Sequence, residues 1–233
     1  SLREAVAYVN GQPTPRTITF AEPMTVTMTG AQRALELTAP YTTVAGGPGV
    51  TVDFGGYNQA CFRLTAPGQR LLGLAVRGCD SVFVQLIGSP GAQVAFCDIG
   101  PGPSARGVYA QDDSPPGSPP SSLIGPGNLV AGLDTGVWVE GTDYVVTGDR
   151  VSGNATGVVV NGVRSRVIGN AIFGQVVGLP GTGNGLRIFN GDGPVDVWHD
   201  VLDGNAGDGL RSDDVPLDVR NNLFTGNAGY GVR

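Results

Sequence analysis

One recurring spacing limits the fold more than any other feature of the sequence. The segments Asn128-Leu-Val-Ala-Gly132, Asp149-Arg-Val-Ser-Gly153, Asn170-Ala-Ile-Phe-Gly174, Asp200-Val-Leu-Asp-Gly204 and Asn222-Leu-Phe-Thr-Gly226 align, with glycine steps of 21, 21, 30 and 22. An inserted Gly/Pro loop around Leu179 to Gly185 accounts for the long step, after which the register resumes. An earlier member, Asp98-Ile-Gly-Pro-Gly102, lies 30 residues before Gly132, and the Ser/Pro-rich stretch from Gln111 to Ser122 supplies the excess. Self-similarity at a fixed period is read before local structure, because missing it spoils the whole fold assignment.

Each period holds two further signals. A glycine followed by aliphatic residues in alternation recurs at Gly136-Val-Trp-Val, Gly157-Val-Val-Val, Gly185-Leu-Arg-Ile, Gly209-Leu-Arg-Ser and Gly231-Val-Arg. Another alternating run precedes the Asn/Asp position, at Tyr144-Val-Val-Thr, Ser165-Arg-Val-Ile, Val195-Asp-Val-Trp and Leu217-Asp-Val-Arg. Three short strands per period, with no helix-length segment between them, exclude βαβ units and leave a coil whose strands stack in parallel on the next coil. The stacking requires aliphatic columns, Val130-Val151-Ile172-Leu202-Phe224 and Val146-Val167-Val197-Val219. It also requires two polar ladders at the turns: Asn128, Asp149, Asn170, Asp200 and Asn222 in one, and Asn154, Gln175, Asn205 and Asn227 in the other.

This architecture resembles the right-handed parallel β-helix of the pectate-lyase-like superfamily, strongly over 95–233 and weakly over 17–94. The expected fold is all-β: one β-helix domain over 1–233, with about eight or nine coils of three short strands. In the weaker half, Thr17–Phe20, Val50–Phe54 and Leu72–Val76 read as strands. Ser1, with Glu4 three residues on and then Ala5, Val6 and Val9 on an amphipathic spacing, marks residues 1–10 as an N-terminal capping helix. Ser1-Leu-Arg-Glu-Ala5 followed by Thr17-Ile-Thr-Phe20 also resembles the CSLREA motif that opens β-helix regions of large secreted bacterial proteins; the motif's Cys has no counterpart here. That resemblance implies an extracellular or cell-surface bacterial protein. The absence of an initiator Met points to a processed or excised segment. The repeat stops at Gly231-Val-Arg233 without a polar cap, so further coils, another chain or self-association is expected at that end.

Composition narrows the function classes. Glycine (39) and proline (17) punctuate a chain of 233 residues that is 40% hydrophobic and only 15% charged, which argues against disorder. All 14 basic residues are Arg, against 16 Asp and 4 Glu, and the net charge of −6 disfavours nucleic acid and anionic membrane. No apolar run approaches membrane-spanning length. Cys61, Cys79 and Cys97 permit one disulfide with a leftover thiol, but three buried small hydrophobes is the plainer expectation. The single histidine, His199, excludes His-rich zinc chemistry.

Projecting the glycine-led strands outward gives two rows: Tyr109, Trp138, Val159, Arg187, Arg211, Arg233, and beside it Gln111, Glu140, Asn161, Phe189, Asp213. Arginine forks suit carboxylates and sulfates, and flat aromatic faces suit sugar rings, so this face is the candidate groove for an anionic polysaccharide. Tyr109, Trp138, Glu140, Phe189 and Arg233 would bind, and Arg187, Arg211 and Asp213 would act if there is catalysis. The bland alternative is solvated arginines paired with Asp208, Asp213 and Asp214. Asp192 and Asp214, and likewise Asp196 and Asp218, are 22 apart and should stack as like charges, which a calcium ion would relieve; no cofactor is otherwise required. Polygalacturonase-like β-helices carry Asn-Thr-Asp, Asp-Asp and Gly-His-Gly motifs, of which only Asp-Asp pairs occur here. The leading expectation is therefore a non-catalytic surface scaffold or polysaccharide-binding module, with a carbohydrate-active lyase or hydrolase as the alternative. Convergence of the arginine and aspartate sets in one cleft would favour the enzyme.

Overall fold

A computed structural model describes residues 1–30, 34–111, 122–177, 182–191 and 193–233. Within these described residues, after one helix, Leu2–Asn10, the chain winds through three parallel sheets of nine, nine and eight strands, each sheet taking every third strand in order. Sheet one runs from Thr17–Thr19 to Leu217–Arg220, and sheet two from Thr25–Thr27 to Leu223–Thr225. Sheet three, from Leu35–Leu37 to Leu210–Asp213, carries the longest strands, Gly102–Gln111 and Leu133–Thr142. The result is eight coils and an incomplete ninth, in which Val232 bridges back to Leu210.

The core is the set of inward columns. Val130, Val151, Ile172, Leu202 and Phe224 are in register on sheet two, and Val146, Val167, Val197 and Val219 on sheet one. All are buried except in the last coil, where Phe224 is half-buried and Val219 is 38% exposed because no coil covers them. At the other end the helix closes the first coil with Leu2, Val6 and Val9, held by the expected capping box between Ser1 and Glu4.

The corners explain the Asn/Asp…Gly frame. In the regular coils the corners beside sheet two place a residue with left-handed backbone, then, except at Leu133, a ladder residue: Gly148 before Asp149, Gly169 before Asn170, Gly153 before Asn154 and Gly204 before Asn205. The ladders are head-to-tail. Asn128 N–H donates to Asp149 Oδ1, Asp149 N–H to Asn170 Oδ1, Asn170 N–H to Asp200 Oδ1 and Asp200 N–H to Asn222 Oδ1, at 2.7–3.0 Å. The second ladder does the same from Leu133 through Asn154, Gln175, Asn205 and Asn227. Side chains thus satisfy corner N–H groups that no strand reaches.

Two sequence expectations change. Leu72–Val76 is not one strand: left-handed Gly73 (φ +64°) turns a corner inside it, between Arg70–Leu72 and Ala75–Cys79. The three cysteines are not three independent hydrophobes, because Cys61 and Cys79 form a disulfide while Cys97 remains a buried free thiol. Cys61 and Cys79 are 18 apart in sequence, and the chain between them runs from sheet three through sheet one to sheet two, which brings their Cα atoms to 6.2 Å.

Candidate functional site: the outer face of sheet three

The two projected rows are present. Tyr109, Trp138, Val159, Arg187 and Arg211 are in register on successive coils, with Gln111, Glu140, Asn161, Phe189 and Asp213 beside them. Coils repeat at about 4.8 Å, so the first row is a ribbon of side chains about 19 Å long. Arg233 continues it: Val232 bridges Leu210, and Ser212 N–H donates to Arg233 O at 2.8 Å.

The middle of the face is aromatic. The Trp138 and Phe189 rings meet edge to face at 6.1 Å, and the Arg187 guanidinium lies 5.0 Å from the Phe189 ring centre. Projection missed Arg106, whose guanidinium lies 4.9 Å from the Tyr109 ring centre and 4.4 Å from that of Trp138. Gly107 and Val108 are both buried, so the alternation breaks between Arg106 and Tyr109 and counting back from Tyr109 in twos does not find it. Glu140 anchors the polar edge: the Tyr109 hydroxyl donates to its Oε2 at 2.7 Å and Asn161 Nδ2 to its Oε1 at 3.1 Å.

The arginine strip is compensated by one carboxylate. Asp213 accepts from Arg211 Nε at 2.9 Å and from Arg187 Nη2 at 3.1 Å. Hydrogen bonding to Arg211, then to Arg187, holds the Asp213 carboxyl below its usual range, so it stays ionised between two cations. A carboxylate so engaged is a poor general base. From Gly102 to Arg233 the sheet-three strands carry four arginines, Arg106, Arg187, Arg211 and Arg233, and three carboxylates, Asp134, Glu140 and Asp213, on a protein whose net charge is −6.

No family model matches the sequence, and no curated protein is similar to it. Solved structures are similar in three dimensions. The periplasmic alginate epimerase AlgG superposes with a TM-score of 0.61 at 12% identity, over 82% of this chain and 50% of its own. Pectate lyase Pel9A gives 0.55 at 15% identity, over 84% and 59%. The A-module of the Azotobacter vinelandii mannuronan C-5 epimerase AlgE4 gives 0.51 at 10%, over 99% and 91%. The fold is the pectate-lyase-like right-handed β-helix. The chain spans 50% and 59% of the first two proteins.

This β-helix separates the residues that catalysis would need together. Asp196 and Asp218 do stack in register, but on sheet one, with Arg166 next in the same column. Arg220 clasps Asp218 through Nε at 2.7 Å and Nη2 at 2.6 Å. Cations thus interleave with the stacked carboxylates. Calcium takes six to eight oxygens; among the described residues Asp196 and Asp218 stack here, and Asp218 is already held by Arg220. Asp214 is exposed at a left-handed corner after sheet three, while Asp192 lies outside the described residues, as do Asp112 and Asp113. The bland pairing of arginines is borne out for Asp213 alone, since Asp208 is buried and accepts from Tyr230 N–H. His199 is exposed at a left-handed corner between sheets one and two, away from the groove.

Proposed function

We propose that this domain is an extracellular or cell-surface bacterial β-helix module that binds an anionic polysaccharide along sheet three without cleaving it. One observation carries the reading: Arg106, Arg187, Arg211 and Arg233 line the same stretch of sheet three on which Tyr109, Trp138 and Phe189 offer aromatic surface. A chain of carboxylated sugars would exchange its counterions for Arg187, Arg211 and Arg233, while its rings lie against Trp138 and Tyr109. The named solved structures act on alginate and pectate, which supports a polyuronate as the class to try first. A lyase or epimerase is the second reading, favoured by those same neighbours and disfavoured by the separation of Asp196 and Asp218 from Arg187 and Arg211.

Affinity electrophoresis through polygalacturonate and alginate, with and without calcium, tests both readings when the same samples are assayed for unsaturated uronate. Retardation that weakens with salt, falls in Arg187→Ala and Arg211→Ala, and releases no product is the expected outcome. Retardation absent on every acidic polysaccharide would overturn the binding reading, and product release abolished by Arg211→Ala would replace it with the enzyme.

A further inference from the structure

We propose that a hollow beside Phe96, on the corner between sheets one and two, is a second ligand site that takes one ring of a neutral saccharide. Its shape follows from three unequal corners. The corner from Ala45 to Thr51 is long and bulges; the next, Gly73-Leu74, is short and lacks a side chain at its outer residue; the next places Phe96 there. The hollow enclosed between them has a volume of about 520 Å³ and is lined by Gly47, Gly49, Gly73, Phe96, Arg77 and Asp98, among others. That volume lies within the range of small-molecule sites. Its walls stand two coils apart, about 9–10 Å. With a van der Waals contact of about 3.5–4.0 Å on each side, the gap admits a single ring lying parallel to the coils.

Phe96 is placed at a cost. At this corner Gly73, Gly127, Gly148 and Gly169 adopt the left-handed conformation, and Phe96 adopts it with φ +56° while remaining 63% exposed. A bulky residue there is an outlier, and exposed aromatic surface held in such a backbone points to use. One part of its ring rests on Gly127, where a Cβ would lie 2.6 Å from Phe96 Cδ1. Tyr41 makes the same contact with Gly68, so the contact alone does not argue for a site; the hollow lined by Phe96 does.

The polar wall sets the class of ligand. Arg77 Nη2 pairs with Asp98 Oδ2, while its Nη1 donates to Asp98 O and Val76 O. The guanidinium is committed and the pair is neutral, so a uronate carboxylate gains no partner. Asp98 Oδ1 accepts no hydrogen bond from a described residue, and its half-exposed carboxylate can accept from sugar hydroxyls. A neutral pyranose, with a flat C–H face for Phe96 and hydroxyls for Asp98, meets both walls. This site is on a different sheet from the arginine groove and does not depend on it.

Isothermal titration of the intact protein with cellohexaose, xylohexaose and mannohexaose, and with oligogalacturonate as the charged comparison, tests the assignment. At least one neutral hexaose should bind, and Phe96→Gly should weaken it roughly tenfold or more. Phe96→Asn should do the same; both Gly and Asn tolerate the left-handed corner, so their thermal midpoints should match or exceed the parent's. Trp138→Ala should leave neutral binding intact. Absence of binding by all three neutral probes, or equal binding by both Phe96 variants, would overturn the assignment; loss of oligogalacturonate binding alone would instead count against the sheet-three groove.

Discussion

Asp149 and Asp200 are aspartates in ladder positions built for asparagine, and replacing Asp149 should stabilise the protein above neutral pH. In the ladder, Asn128 Nδ2 donates to Val94 O, Asn170 Nδ2 to Val146 O and Asn222 Nδ2 to Val197 O, at 2.7–3.0 Å. Ile124 lies in register between Val94 and Val146, so its carbonyl is the matching acceptor for residue 149. Asp149 Oδ2 is buried with no hydrogen-bond partner among the described residues, as is Asp200 Oδ2. Only the protonated acid can donate there. Burial accordingly pushes the Asp149 carboxyl up from 3.8 to about 7, and that of Asp200 to about 6.

The sign follows from linkage. With the folded value raised, the native state holds more protons than the unfolded chain between about pH 4 and 7; the stability is complete below the unfolded value and is lost as pH rises through about 7. A rise from 3.8 to about 7 corresponds to at most about 4 kcal/mol. Local relaxation reduces this towards the roughly 1–3 kcal/mol of an unsatisfied buried group. Asp149→Asn restores the donor without a charge. For a chain of this size, about 2–4 °C per kcal/mol gives a rise of roughly 3–10 °C in thermal midpoint at pH 8, shrinking to near zero at pH 4. Melting followed by circular dichroism at pH 4 to 8.5 measures it. A variant no more stable than the parent at pH 8, or a difference that does not grow with pH, would refute the reasoning. Asp200→Asn, two coils away, should add a smaller gain over a lower pH range.

Other parts of the chain give further expectations. Replacing Cys61 and Cys79 by Ser should cost about 3 kcal/mol through the 18-residue separation, read as a lower urea midpoint that matches the parent in reductant. Cys97, buried with its thiol pushed up to about 11, should resist a thiol reagent in the native protein and titrate as one equivalent in non-reducing denaturant. Asn170→Ala strands both Asp149 N–H and Val146 O and should cost about 2–4 kcal/mol in chemical denaturation, more than an exposed Asn58→Gln control. At Gly162 (φ +151°) an added Cβ would sit 1.8 Å from Gly141 O, so Gly162→Ala should cost about 3 kcal/mol or more in the same assay.

The coil was legible because each corner repeats a small instruction. A left-handed residue followed by Asn, Asp or Gln needs only two letters in sequence, and their recurrence every 21 or 22 residues sets the register of everything between. The columns through Val151 and Val167 followed without further input. Where the corner letters change, legibility fails: Gly73 precedes Leu74 and Phe96 precedes Cys97, so the earlier coils read as irregular although they stack as well as the rest. The disulfide joins two coils whose lengths were not readable, and its pairing was therefore hidden.

The site was legible only in its periodic part. Positions that repeat with the coil, Tyr109 through Arg211, fell in a row because each step adds the same rise whatever the side chain. Equal spacing in sequence does not give a shared face, however. Asp196 and Asp218 differ by 22, as do Asp192 and Asp214, yet the former pair belongs to sheet one, which points elsewhere than sheet three. A 22-residue difference identifies neighbours along the axis; the position within the coil decides the sheet. The arginines illustrate the consequence: Arg166 and Arg220 stand beside aspartates on sheet one, whereas Arg187 and Arg211 share Asp213 on sheet three. On sheet three the arginines coincide with a cluster of aromatic rings, Tyr109, Trp138 and Phe189.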